Sequence, residues 1–202
     1  MHTFSFDNLA RQLLDLSPRA RMVFAACCAQ RCACVYEQAV QIDQSELCPC
    51  VHQALDYVWN RLLNMIADDQ SDEFAKKLEE LLPPDDPRVW RRTMAYIDDS
   101  IRVCIYAVEC LKAGGHQEAV WAGEVARQCV WQIIDDYLEN GSFTAESILK
   151  VESHSIVQRE LSRQERDVAE LAAAGSMLTP EMIGRFRQRS KIEQAVERLP
   201  LP

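Results

Sequence analysis

Cysteines are the residues in this chain best suited to chemistry, since a thiolate can bind a metal or act as a nucleophile. Six of the nine cysteines fall in one short region, as "AACCAQRCAC" at residues 25–34 and "CPC" at residues 48–50. Cys28 and Cys32 are one helical turn apart, so they could hold a metal together with Cys48 and Cys50. The spacing differs, however, from the paired CxxC motifs typical of zinc sites.

The alternative is that these cysteines are packing residues. In a helix over 18–41, Cys28 and Cys32 share the apolar face, while Cys27 and Cys34 lie on a flank. A free cysteine within an apolar stripe behaves as a small hydrophobic residue. We therefore expect packing and predict neither a metal nor another cofactor, with the four-cysteine site remaining as the alternative.

Two adjacent carboxylates form a second candidate site. In a helix over 87–112, Asp98 belongs to a stripe of alternating charge with Arg102, which is typical of a solvated, ion-paired face. Asp99 lies outside this stripe and close to Tyr106. A carboxylate among apolar neighbours is either paired with an Arg or Tyr of another helix or is a functional group with a shifted pKa. We expect the pairing.

A third candidate is a polar surface that carries two tryptophans. In a helix over 116–139, the apolar stripe leaves both tryptophans on its polar side. Protein interfaces are enriched in exposed aromatic residues of this kind. The alternative is that another helix of the same fold covers them. The predicted partner-binding residues are Trp121, Glu124, Gln128, Trp131 and Asp135.

The composition limits the classes of function. The chain has 202 residues, of which 48% are hydrophobic and 26% charged, as expected for one folded domain. Its net charge of −9 repels phosphate backbones and anionic membranes, so we expect a basic protein partner and neither a nucleic acid nor a membrane. No secretory signal and no run of about 18 apolar residues is present, which favours a cytoplasmic protein with reduced thiols.

Local signals predict helices throughout the chain. Ser17-Pro18 and Thr179-Pro180 are helix starts, and the glycines of "KAGGH" end another helix. The sequence predicts a single bundle domain over residues 1–176 and a C-terminal helix and tail over 177–202, docked on the bundle. About eight mostly antiparallel helices are predicted, over residues 4–16, 18–41, 47–66, 72–82, 87–112, 116–139, 144–173 and 180–197.

Several helical segments together resemble a known family. They are "MVFAACCAQR", "ALDYVWNRLL", "LEELLPPDDP", "YIDDSIRVCIYAVECL" and "QRELSRQERDVAELAA". In this order they resemble the bacterial family called domain of unknown function 416, from about residue 17 to 190. Phe24, Cys27 and Asp98 match the family pattern, whereas Asp99 departs from it. The resemblance implies an all-helical fold and carries no established activity.

Motifs of common enzyme classes are absent from the sequence, including GxSxG, the Walker loop, the dinucleotide-binding glycines, HExxH and the EF-hand loop. We therefore expect a non-enzymatic, acidic protein-binding module. In its sharpest form it is a bacterial immunity protein that neutralises a basic toxin. The alternative is an enzyme or a ligand-binding or metal-binding bundle with a carboxylate site between helices. The sequence predicts no particular oligomeric state.

Overall fold

The structure is a computed structural model of the chain, and it describes residues 5–63, 69–86, 88, 91–138 and 144–196. The described residues form nine α-helices and one short 3₁₀ turn, and they contain no β-strand. The prediction of an all-α bundle is therefore confirmed. The elements are α1 (Phe6–Leu14), α2 (Pro18–Ile42), α3 (Cys50–Leu62), α4 (Ser71–Glu79), α5 (Arg92–Ala113), α6 (His116–Tyr137), α7 (Ala145–Glu152), α8 (Ser155–Ala174), the 3₁₀ turn (Gly175–Met177) and α9 (Pro180–Ile192).

The helix ends follow from local chemistry. The Ser17 hydroxyl accepts a hydrogen bond from the Ala20 amide, and the Thr179 hydroxyl does the same for Met182, so both predicted caps are present. Gly114 ends α5 in the left-handed conformation, with φ of 60°. A side chain at this position would also overlap Pro18, because the α5–α6 turn lies against the start of α2.

Helix α2 is the centre of the fold. It packs against five other helices, α3, α5, α6, α8 and α9. Cys27 and Cys34, which we expected on a flank, are therefore buried. Alanine and cysteine occupy many positions of α2, and these small side chains let several neighbours approach its backbone.

The predicted helix over 144–173 is wrong, because it is two helices. The helix is interrupted at Ser153 and His154, whose side chains form hydrogen bonds with the local backbone. The Ser153 hydroxyl donates to the Lys150 carbonyl, and His154 Nδ1 accepts from the Ile156 amide at 3.3 Å. Polar side chains of this kind compete with the helical hydrogen bonds.

The predicted start of the fifth helix also differs. Arg91 is extended, with φ of −122° and ψ of 159°, and α5 begins at Arg92 instead of residue 87. The third helix begins at Cys50 instead of residue 47, and the fourth ends at Glu79 instead of residue 82. The predicted helix ends at positions 4, 66, 139 and 197 lie outside the described residues.

Helix α9 lies on the outside of the bundle, against α2 and α3. Ile183 and Phe186 are its buried apolar residues, and Arg187 forms an ion pair of 2.5 Å with Asp56 of α3. After α9 the chain runs along α2, where the Ala195 amide donates to the Arg31 carbonyl. Residues 197–202 of the predicted C-terminal tail lie outside the described part of the chain.

Candidate binding site between helices α5, α6 and α7

A surface groove of about 730 Å³ is present in the described part of the structure. It lies between the first turn of α5, the second half of α6 and the short helix α7. Cavities of this size are in the usual range of ligand-binding and partner-binding pockets. Its lining combines one aromatic ring with many polar groups: Arg91, Arg92, Ala95, Arg127, Gln128, Trp131, Gln132, Asp135, Asp136, Ile148 and Glu152.

Ion pairs join the three walls of this groove. Arg127 of α6 contacts Glu152 of α7 at 3.2 Å, which holds the short helix in place. Asp136 of α6 accepts a 2.5 Å hydrogen bond from the Tyr96 hydroxyl of α5, and it also lies 3.7 Å from Arg92. Burial and this hydrogen bond raise the pKa of Tyr96 above its ordinary value, so the phenol remains the donor at neutral pH.

Three of the predicted partner-binding residues, Gln128, Trp131 and Asp135, line the groove. The other two lie further along the same face of α6, outside the cavity. Trp121 is 38% exposed and packs on the Tyr106 ring with centroids 5.4 Å apart, and Glu124 is half-buried. The predicted surface is thus one continuous face of α6, and only its second half is concave.

Asp98 and Asp99 have different environments. Asp98 forms the expected ion pair with Arg102 of the same helix, at 2.6 Å. The expected pairing of Asp99 with an Arg or Tyr is wrong: the residue is buried, and its Oδ2 has no hydrogen-bond partner among the described residues. Burial, together with the neighbouring Asp98 charge, raises the pKa of Asp99 to about 7, although Arg102 opposes this change.

Gln132 brings a second unpartnered oxygen to the α5–α6 interface. Its Oε1 is buried and has no hydrogen-bond partner among the described residues. Tyr96 bonds Asp136, and the Ser100 hydroxyl lies 3.9 Å from the Cys129 sulfur, so the two helices run antiparallel with these residues facing each other. Asp99 lies between Tyr96 and Ser100 on α5, and Gln132 lies between Cys129 and Asp136 on α6. The two residues are therefore at the same level along the α5–α6 interface.

A buried charge cluster joins α2, α8 and α9, and sequence reasoning missed it. Arg31 is fully buried and bonds Glu160 at 2.9 Å and Asp167 at 2.7 Å, both of which are also fully buried. Arg189 of α9 binds the other oxygen of Asp167 at 2.7 Å, and Gln164 donates to Glu160. Burial works to lower the pKa of Arg31, but the two carboxylates raise it well above its ordinary value, so the residue stays charged.

The signal for this cluster was present in the sequence. Arg31 occupies a position of the apolar stripe of α2, three residues after Cys28. Glu160 and Asp167 are seven residues apart on one face of α8, next to the apolar positions Leu161 and Val168. Charged residues at core positions of two helices indicate a buried ion pair, because an unpaired buried charge is strongly unfavourable.

The cysteines form no metal-binding group among the described residues. No group of three or more His, Cys, Asp or Glu side chains is arranged there to hold a metal, so Cys28, Cys32, Cys48 and Cys50 are not assembled as a site. Burial raises the pKa of Cys27 to about 12 and that of Cys34 to about 11. A thiol with a raised pKa is a poor nucleophile at neutral pH.

The fold and the groove define an all-α, single-chain bundle with a polar, tryptophan-lined surface site. The chain belongs to the family described as "Protein of unknown function (DUF416)", whose pattern matches residues 8–196. A crystal structure of a DUF416 family protein from Shewanella baltica OS155 has the same fold, with a TM-score of 0.77. The two sequences are 16% identical, and the match covers 94% of each chain. A search of curated proteins finds no match. No helix among the described residues has the length and apolar character needed to cross a membrane.

Proposed function

We propose that this protein is a non-enzymatic binding protein that holds part of a protein partner on the outer face of α6. The observation that carries the proposal is that Gln128, Trp131 and Asp135 line the 730 Å³ groove. Residue spacing alone placed these three side chains on one polar face, and they line the cavity with an indole ring among hydrogen-bonding groups. Aromatic and arginine side chains in this arrangement are typical of interaction hot spots.

The extent of the surface favours a macromolecular partner. From Trp121 to Asp135 the face covers 14 helical steps, which corresponds to about 21 Å at the α-helical rise. A small ligand would fill only the groove, whereas a partner's helix or loop can contact both tryptophans.

Charge favours a basic partner. Each of the three groove arginines contacts a carboxylate: Arg91 lies 2.8 Å from Asp43, Arg92 contacts Asp136 and Arg127 contacts Glu152. The positive and negative charges cancel within each pair. The net charge of −9 therefore determines the sign of the electrostatic field far from the protein. In its sharpest form the proposal is a bacterial immunity protein that captures a basic toxin, since charge complementarity speeds association.

The test is a mixture of this protein with the secreted basic protein encoded beside its gene, followed by size-exclusion chromatography and calorimetry. We expect a complex at micromolar concentration, and Trp131→Ala should weaken it at least about tenfold, as for a hot-spot residue. Leu14→Ala is the matched control, because Leu14 is 60% exposed on α1, and it should change the affinity less than twofold.

Two results would count against the proposal. If no neighbouring gene product forms a complex at micromolar concentration, the immunity role is wrong. If a complex forms and Trp131→Ala leaves its affinity unchanged, the partner binds elsewhere and the α6 face is not the site.

A second candidate function is a small-ligand site in the same groove, and the Gln132 carbonyl oxygen favours it. This buried acceptor lacks a partner among the described residues, and the carboxylates of Asp135 and Asp136 line the same cavity. A ligand that donates a hydrogen bond would satisfy the Gln132 oxygen, and a positive charge on it would lie near the two carboxylates. Guanidinium and alkylammonium compounds have this chemistry.

Calorimetric titration with agmatine tests this second function. We expect saturable binding that Gln132→Leu weakens at least about fivefold, because the leucine removes the acceptor at similar volume. Sodium acetate is the anionic control and should give no signal. Binding that is absent up to millimolar agmatine, or that is equal in the Gln132→Leu variant, would remove this function and leave the protein-binding proposal untouched.

A further inference from the structure

A second groove, of about 460 Å³, lies between the end of α8, the 3₁₀ turn and the first half of α9. Its apolar part is formed by Ala173, Ala174, Met177, Met182 and Phe186, and its charged lining residues are Arg185 and the ion pair of Arg189 with Glu170. It is on a different part of the surface from the α5–α6–α7 groove and shares no lining residue with it. Nothing in the proposed function uses this site.

The groove exists because α8 and α9 are held together by long side chains. Arg189 reaches from α9 to Asp167 and Glu170 of α8, and Arg166 reaches from α8 to Glu193, at 2.5 Å. These contacts separate the two helices and leave an apolar trough beside them.

The trough is open to solvent and lined by flexible side chains. Met177 is 75% exposed, which is unusual for a large apolar residue, and Met182 is half-buried against the core. Methionine side chains adapt to different partner shapes, and they are frequent on surfaces that bind amphipathic helices. Phe186 forms the buried part of the trough, with the Arg189 guanidinium 4.9 Å from its ring centroid.

The charge of α9 is opposite to that of the rest of the chain. The helix carries four basic residues and one acidic residue, a charge of +3, so the remaining residues sum to −9 − 3 = −12. Arg187 and Arg189 are neutralised by carboxylates of α3 and α8. Arg185 is exposed on the rim and has no ionic partner among the described residues. The trough therefore offers apolar surface beside an unbalanced positive charge.

We propose that the α8–α9 groove binds an acidic amphipathic helix of a protein partner. The apolar stripe of such a helix, with anchors at i, i+3 or i+4 and i+7, would lie along Met177, Met182 and Phe186. A carboxylate beside that stripe would pair with Arg185. Two helices with a trough between them are the usual receptor for a third helix, whose axis lies 8–10 Å from each in ordinary packing.

The test uses two fluorescein-labelled synthetic helices of about 18 residues with the same leucine stripe, one flanked by glutamates and the other by lysines. Fluorescence anisotropy is measured with the full chain. We expect the acidic peptide to bind with micromolar affinity and the basic peptide to bind at least tenfold more weakly. Met177→Glu and Arg185→Glu should each weaken binding of the acidic peptide at least tenfold.

Lys191→Glu is the matched control, because it makes the same charge change on the same helix outside the groove. It should weaken binding less than threefold. Both groove substitutions are at exposed positions, so their thermal unfolding should match that of the unmodified chain. Trp131→Ala should leave peptide binding unchanged, which separates this site from the α6 face.

Three outcomes would overturn the proposal. Equal binding of the two peptides, or binding insensitive to both groove substitutions, would show that the groove does not select an acidic helix. Sedimentation as a dimer that Met177→Glu dissociates would assign the groove to a second copy of the chain. Displacement of the acidic peptide by stoichiometric oleate would assign it to a fatty acid.

Discussion

Arg31→Met is expected to lower the free energy of unfolding by about 3–5 kcal/mol, as found when one partner of a buried ion pair is removed. The substitution keeps most of the side-chain volume but leaves Glu160 and Asp167 as buried carboxylates. Asp167 keeps Arg189 and, at 3.7 Å, Arg166, and Glu160 keeps its hydrogen bond from Gln164. Both carboxylates are fully buried, so water cannot take the place of the guanidinium. Denaturant unfolding followed by far-UV circular dichroism measures the change.

Lys77→Met is the control, because it breaks an ion pair of 2.6 Å with Glu73 on the surface of α4. The Lys77 side chain is 48% exposed, so the loss should be less than about 0.5 kcal/mol. The triple variant Arg31→Met, Glu160→Met, Asp167→Leu removes all three buried charges and should regain part of the lost stability. An Arg31→Met loss below about 1 kcal/mol would show that the cluster is not a main stabilising feature.

Asp99→Asn is expected to stabilise the protein above neutral pH. Because burial raises the pKa of Asp99 from 3.8 to about 7, the folded protein holds this proton more tightly than the unfolded chain does. Stability therefore falls as the pH rises from about 4 to about 7, and the full penalty of ionised Asp99 remains above pH 7. Asparagine stays neutral and avoids this penalty. The gain in unfolding free energy should be as much as about 4 kcal/mol at pH 8, at about 1.4 kcal/mol per pKa unit.

The pH dependence distinguishes this mechanism from a general effect on packing. Between pH 5 and pH 8 the advantage of Asp99→Asn should grow by about 3 kcal/mol, since two pKa units of the shift fall in this interval. Glu73→Gln is the control: it removes an exposed i,i+4 ion pair with Lys77 on α4, away from Asp99, and should cost less than about 1 kcal/mol without this slope. A constant difference between the Asp99→Asn variant and the unmodified chain at all pH values would contradict a raised pKa.

The candidate site was partly predictable from residue spacing. A period of 3.6 residues placed Trp121, Trp131 and Asp135 on one polar face of α6, and this holds because helical phase depends only on residue number. The same phase could not show that α7 forms the opposite wall of a groove, since Ile148 and Glu152 were assigned to one long helix. The break at His154, made by side-chain hydrogen bonds to the backbone, turns α7 into a separate wall.

The pairing of Asp99 and the flank positions of Cys27 and Cys34 were beyond the reach of helical phase for a common reason. Helical phase identifies the face on which a residue lies but does not show which segments cover that face. Cys27 is covered by α8 and α9, near Asp167 and Ser190, and the Cys34 thiol donates to the Val196 carbonyl in the segment after α9. Asp99 is buried by the packed helices without a donor to its Oδ2 among the described residues.

The sequence by itself determined the all-α class, several helix ends and the family, because caps, glycine stops and apolar periodicity act within a few residues of the chain. Only the tertiary structure decided which charges are buried and which surfaces become concave. Arg31 contacts Glu160 and Asp167, which are 129 and 136 residues away in sequence. The local pattern around Arg31 does not indicate which residues of α8 will pair with it, and the pattern of α8 does not indicate Arg31. Pairing over such distances depends on how whole helices pack, since a buried charge is stable only where a distant helix brings its counterion.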